Sequence, residues 1–176
     1  NNRVVEISNP HTATPSATLT ISTWDGGNEL TVPLYIAIGY DNQYNLYISD
    51  SMSSCVRLFY GKQSINPLPT VAAGSAGAGG SMAGQLSVPG GVAVDSQQNL
   101  YVSDTYNHRI MLWPANANAG TLVAGTGSAG SDASTLNNPM GLFLDEENQR
   151  LYVADMNNHR IQAFSLTGTP PYVGTT

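Results

Sequence analysis

Lysine is almost missing from this 176-residue chain: it occurs once, at Lys62, and charged residues of every kind make up only 10%. About a quarter is usual for a globular domain, so the surface is polar but nearly uncharged. The net charge is −6 and the few arginines are scattered. Nucleic-acid binding draws its affinity from clustered Lys and Arg, so no nucleic-acid partner is expected. A single cysteine, Cys55, excludes an intrachain disulfide and leaves either a free thiol or an intermolecular one. No apolar run approaches the roughly 18 residues that span a bilayer, so membrane insertion is not expected. There is no start methionine, which fits a processed, excised or partly observed product. No Asn-x-Ser/Thr sequon occurs, so any attached sugar is expected to be O-linked. The Thr/Ser-rich stretches 8–23 and 165–176, which contain Pro, have that composition, although it equally describes polar linkers, the preferred reading. Also missing is any Gly/Pro-free window with apolar residues at i, i+3, i+4 and i+7, which argues against long amphipathic helices.

What the chain does contain is a repeat. YVSDTYNHRIMLW (101–113) returns as YVADMNNHRIQAF (152–164), with Asn107 and Asn158 in register 51 residues apart. YISDSMSSCVRLF (47–59) is a looser copy with Ser53 in register, and NNRVVEI at the start matches NHRIMLW, placing Arg3 over Arg109. Upstream of each copy lies a second shared block, VPGGVAVDSQQNLY (88–101), NPMGLFLDEENQRLY (138–152) and the looser VPLYIAIGYDNQYNLY (32–47). Before these come Gly/Ala/Ser loops and short β-branched runs, ATLTIST (17–23), PTVAAG (69–74) and TLVAGTG (121–127). Apolar alternation over four or five residues, bounded by Gly, Pro, Asn and Asp, is strand grammar. A period near 50 carrying four short strands predicts an all-β chain of propeller blades, since so small a sheet must stack on neighbours to bury its faces.

The run Pro-x-Gly-[Val/Leu]-x-[Val/Leu]-Asp, a turn, then [Asn/Arg]-Leu-Tyr-Val-[Ser/Ala]-Asp-x-x-Asn-His-Arg-Ile resembles the NHL repeat. That resemblance implies β-propeller blades of four antiparallel strands, about three full blades with partial blades at both ends. The expected division of this single segment is an outer strand and linker at 1–16, a degenerate blade at 17–60, blades at 61–113 and 114–165, and an innermost strand of a following blade at 166–176. In this scheme the β-branched runs are the innermost strands. The first blade departs from the pattern at Tyr35, Gly39 and Cys55, which stand where Gly91, Asp95 and Arg109 do, and a specialised contact is expected there.

Candidate chemistry is sparse. Asp50, Asp104 and Asp155 close the third strand, and Arg109 and Arg160 (with Arg3 in the opening copy) begin the fourth, so a turn- and blade-stabilising role is expected for all six. His108 and His159 occupy equivalent outer turns that diverge from one another, and His11 lies in a Pro/Thr-rich connection, so no metal site is expected. The Gly-rich loops 72–84 and 124–134 lack the Lys-Ser/Thr ending of a phosphate loop and are expected at one rim. Glu146 and Glu147 read as a solvated hairpin tip. NHL-like propellers include amidating lyases and small-molecule synthases, but no position here matches their site residues. No cofactor and no enzymatic activity are therefore expected.

Three blades do not close a ring, and bare edges need cover. More of the same polypeptide, a second copy, or copies stacked into an open array would each supply it. The expected function is a structural or protein-interaction module, extracellular, binding itself or another protein through the edge residues Val4, Val5, Ile7, Tyr172 and Val173. The rival readings are a ligand- or protein-binding propeller of a larger receptor and a lyase or hydrolase using a central channel.

Overall fold

The computed structural model describes residues 30–39, 45–60 and 69–176 with their side chains, and 4–7 and 21–24 as strand backbone. Arg3, His11, most of the 8–23 stretch and the side chains of Val4, Val5 and Ile7 lie outside the described residues. Strands β1 (Val4–Ile7) and β2 (Ile21–Trp24) form an antiparallel pair. Three four-stranded antiparallel sheets follow. Sheet 1 holds β3 (Pro33–Ile38), β4 (Leu46–Asp50), β5 (Cys55–Phe59) and β6 (Thr70–Gly74). Sheet 2 holds β7 (Pro89–Val94), β8 (Leu100–Asp104), β9 (Arg109–Trp113) and β10 (Thr121–Gly125). Sheet 3 holds β11 (Pro139–Asp145), β12 (Arg150–Asp155), β13 (Arg160–Ser165) and β14 (Gly174–Thr175). Among the described residues the only helical segments are single turns at Thr105–Asn107 and Met156–Asn158.

The strands are all-β as expected, but their grouping runs one strand out of phase with the sequence reading. The β-branched runs at 70–74 and 121–125 pair with the strand before them, Leu122 opposite Met111 for example, and close the outer edge of each sheet. Residues 166–176 likewise return to their own sheet, where Gly174 lies opposite Phe164. The physical reason is visible in burial. Every residue of PGGVAV in β7 is buried, whereas β6 opens with exposed Thr70 and Val71. The strand that needs burial on both faces takes the crowded inner position, and β7 lies between β3 and β11 there. The innermost strands are therefore β3, β7 and β11, and the hydroxyl-rich TVAAG and TLVAG runs lie at the rim.

Two apolar layers join the three sheets. Val92, Val94, Val102, Met111 and Trp113 on one face of sheet 2 pack with Tyr47, Val56 and Leu86 from sheet 1 and its exit loop. Ala93, Tyr101 and Ile110 on the opposite face pack with Leu136, Leu151, Val153 and Phe164. Residues alternate between these layers along each strand, the period-2 signature of a strand buried on both faces.

Candidate functional site

The signature residues build a clamp rather than a reaction centre. Asp104 is fully buried and accepts hydrogen bonds from the Ser87 amide at 2.7 Å, Asn107 Nδ2 at 2.9 Å and Arg109 Nε at 2.7 Å. Burial is the largest influence on its carboxyl and pushes its pKa up, against the pull of Asn107, Ser87 and Arg109. Asp155 repeats the arrangement with the Asn137 amide, Asn158 Nδ2 and Arg160 Nε, the last at 2.8 Å. The free ends of the same side chains grip the incoming loop. Asn107 donates to the Gly80 carbonyl, Asn158 to that of Gly130, and Arg160 to the carbonyls of Ser131, Asp132 and Thr135. The Gly-rich segments are therefore the return crossings from rim to axis, held down by Asn and Arg. His108 and His159 end the turns in the left-handed region at φ 51° and 53°, and Ser54 does so at 55°.

Sheet 1 keeps the aspartate without the arginine. Burial opposes ionisation of Asp50, but the Thr31 hydroxyl and the amides of Val32 and Thr31 outweigh it and hold the carboxyl below its ordinary range. Cys55, in the arginine's place, is fully buried, so the expectation of an intermolecular thiol is corrected: its sulfur has no route to another chain. Burial raises the thiol from 9.0 to about 11. Its contribution to stability is therefore complete below pH 9 and is lost as pH rises through about 11. Native protein is expected to leave Cys55 unlabelled by Ellman's reagent at pH 8, with full labelling on unfolding; rapid native labelling would contradict this burial.

Hydroxyls that the sequence reading passed over tie each sheet to the next. Ser51 Oγ donates to the Pro89 carbonyl, and Thr105 and Ser103 donate to the carbonyls of Pro139 and Met140, each at 2.7 Å. The Asn138 amide donates to His108 Nδ1 at 3.1 Å. Glu146, expected as a solvated tip, accepts hydrogen bonds from the amide and hydroxyl of Ser96 on the neighbouring sheet. A signal existed in [Ile/Val]-Ser-Asp-[Ser/Thr] of the first two sheets, but nothing in one sequence says that those hydroxyls point across a sheet boundary.

The outer sheets each present a face that the middle sheet buries. Ile161 is 57% exposed where its counterpart Ile110 is 0%, and Phe143 is 65% exposed where Ala93 is 9%. Phe143 and Tyr152 lie 6.2 Å apart on this face. On the far side of sheet 1, Ile38 is 60% exposed where Val94 is 4%, and Leu34 and Ile36 accompany it. The predicted edge residues fare differently. The Tyr172 amide donates to Val123 of sheet 2 at 2.7 Å and its hydroxyl to the Leu166 carbonyl, so Tyr172 is a seam residue rather than a free edge, whereas Val173 stays exposed. Strand β1 has β2 on one of its edges. The apolar surfaces left open on the two outer sheets are thus blade faces. No three His, Cys, Asp or Glu side chains gather among the described residues where a metal could be held.

The family described as NHL repeat matches residues 86–110 and 136–164, the two copies that carry the complete Asp/Asn/Arg clamp. The chain belongs to the NHL-repeat family. It is 37% identical over 137 residues to NHL repeat-containing protein 2 of Bos taurus, an alignment covering 69% of this chain and 19% of that relative. This NHL segment thus spans about a fifth of the length of the curated relatives it matches. Among solved structures it superposes on a chain of the nidogen/laminin complex with a TM-score of 0.61 at 20% identity, covering 84% of this chain and 49% of that one. It also superposes on streptogramin B lyase with a TM-score of 0.62 at 13% identity, covering 96% and 46%. Those likenesses establish the β-propeller fold and carry no residue roles.

Proposed function

We propose that this NHL segment is a non-enzymatic protein-interaction module that docks through its two open blade faces, and that a second copy of the chain is its partner. The copies meet head to tail, the Phe143 and Ile161 face of one against the Leu34, Ile36 and Ile38 face of the next. Such a contact closes into a ring if the rotation permits and runs on as a filament if it does not.

Gly141 carries this reading. Its counterpart Gly91 has no room for a side chain, because an added Cβ would lie 2.3 Å from the Met140 carbonyl oxygen of the next sheet. At Gly141 an added Cβ would meet nothing closer than 3.8 Å. The neighbours there are side chains alone, Ala154 and the Tyr35 ring of β3, and no backbone of another described strand comes as close as it does at Gly91, so the site keeps room for the close approach of another inner strand. The same face has exchanged the tying hydroxyls Ser103 and Thr105 for Ala154 and the exposed Met156. Apolar contact therefore suits it better than the carbonyl pairing used within the chain.

The test is sedimentation and light scattering of the 176-residue chain, alone and as Gly141→Ala. Self-association well above the 18.5 kDa monomer is expected for the wild type. Gly141→Ala should weaken it by about tenfold, as overpacking at a tight contact does, with the monomer's melting temperature unchanged. A wild type that stays monomeric at high concentration, or an association indifferent to Gly141→Ala, would overturn the proposal.

A further inference from the structure

Function in a repeat protein resides where the copies differ, and one cleft here has no equal in the next repeat. It lies between sheets 1 and 2, at the ends of β4, β5 and β8, and has a volume of about 470 Å³. Its polar lining residues are Asn45, Gln97, Gln98, Asn116 and Asn118, with Tyr60 and Thr70 alongside. No Asp, Glu, Lys, Arg or His is found among the described lining residues. The corresponding space between sheets 2 and 3 is about 190 Å³ and is lined by Asp95 and Glu146, and Glu146 is bonded across to Ser96.

The difference traces to Gly39. In sheets 2 and 3 an aspartate at this position caps the first hairpin: Asp95 accepts from the Gln97 and Asn99 amides, and Asp145 from Asn148. Gly39 brings no carboxylate. A Cβ there would lie 2.7 Å from Gln98 Oε1, so the Gln98 side chain occupies the space that the repeat gives to the acid. Tyr47, whose hydroxyl lies 3.5 Å from the same oxygen, completes this wall. One departure from the pattern thus removes a charge and turns an amide toward the cleft.

We infer that this cleft binds a neutral, hydroxyl-rich ligand, a saccharide unit. With no charged group among its described lining residues, it offers no compensation there for desolvating an ion. The exposed carboxamides of Gln97, Asn116 and Asn118 each carry a donor and an acceptor side by side, which matches a sugar hydroxyl that is itself both. Tyr60 adds a flat aromatic body against which the C–H face of a pyranose packs. The volume falls in the range of small-molecule sites, roughly 300 to 1,000 Å³. An extended peptide pairing with the edge of β6 is the competing occupant. Equivalent outer strands recur at β10 and β14, however, whereas a described lining of amides without a carboxylate does not: the next cleft sets Gln97 and Gln149 beside Asp95 and Glu146.

The site is separate from the open faces, so either proposal can fail alone. Saturation-transfer NMR on the 176-residue chain, with glucose, galactose, mannose, N-acetylglucosamine and their disaccharides, is the test; glucuronate and an uncharged Ser/Thr/Ala hexapeptide serve as comparators. Transfer to neutral sugars, weaker for glucuronate, is expected. Gln97→Ala, which alters an exposed side chain, should weaken binding about fivefold, the loss of one hydrogen bond. Gly39→Asp restores the repeat's own residue and should abolish binding while leaving the melting temperature unchanged or raised. No transfer to any neutral sugar, preference for glucuronate or the peptide, or binding indifferent to both substitutions would each overturn the assignment.

Discussion

Gly91→Ala is expected to cost this 176-residue chain roughly 3 kcal/mol, the upper end of what overpacking a close contact costs. The new methyl would lie 2.3 Å from the Met140 carbonyl oxygen, 2.8 Å from the Leu142 amide nitrogen and 3.1 Å from the Gly141 carbonyl carbon. All three are backbone atoms of β11, so no side chain can swing aside, and relief requires sheet 3 to withdraw from sheet 2. That movement would strain the hydrogen bonds from Ser103 and Thr105 to the Met140 and Pro139 carbonyls and loosen the layer around Ile110 and Leu136. Gly91 does not have a positive φ, so backbone preference contributes nothing to the loss. Removing glycine's freedom in the unfolded chain would on its own stabilise by about 0.4 to 1 kcal/mol. Gly141→Ala in the monomer should show that small gain or no change, because its methyl makes only ordinary contacts, at 3.8 Å or more, with the Ala154 and Tyr35 side chains. Chemical denaturation of the two variants side by side checks the argument, and equal effects at both positions would contradict it.

The strands and their order along the chain were legible because each is a short alternating run between Gly, Pro, Asn and Asp. The grouping into sheets was not. TVAAG and TLVAG carry β-branched residues that fit an inner or an outer strand equally well, and periodicity reports which face a residue takes rather than which neighbour a strand pairs with. The decisive clue was the pair of glycines in VPGGV. Glycine inside a strand marks a close approach of backbone, and here that approach is the crowding of β7 against β11. The clamp roles of Asp104, Arg109, Asp155 and Arg160 could be anticipated from their fixed five-residue spacing. Their grip on the Gly-rich crossings could not, because those partners lie 24 to 29 residues away in sequence. The edge reading for Tyr172 failed for a related reason. The sequence marks a polar tail, but only the fold shows that the Tyr172 amide reaches Val123 of another sheet.

Asp104→Ala should be the most damaging single change within a described blade. It leaves four hydrogen-bonding contacts from three donor groups without their acceptor: the Ser87 amide, Asn107 Nδ2 through two contacts, and Arg109 Nε. The Arg109 guanidinium is only 13% exposed, so water compensates it poorly, and removing one partner of a buried pair costs on the order of 3 to 5 kcal/mol. The loss then spreads through the clamp. Asn107 and Arg109 also hold the carbonyls of Gly80, Met82 and Gln85, so a side chain without its anchor releases the crossing that carries Leu86 into the layer between sheets 1 and 2. Asp104→Asn separates charge from shape: an amide of the same size keeps one acceptor oxygen but turns an NH2 toward donors, and it should recover part of the loss. The double substitution Asp104→Ala with Arg109→Met removes both charges and should cost less than the sum of its parts, since no unpaired guanidinium remains buried. Hydrogen exchange resolved along the chain measures both stability and reach. If the clamp works as described, protection in Asp104→Ala falls first at residues 80–87 and in β8 and β9, while sheet 3, with its own Asp155 clamp, opens later; a uniform loss across all three sheets would show that the clamps do not act locally.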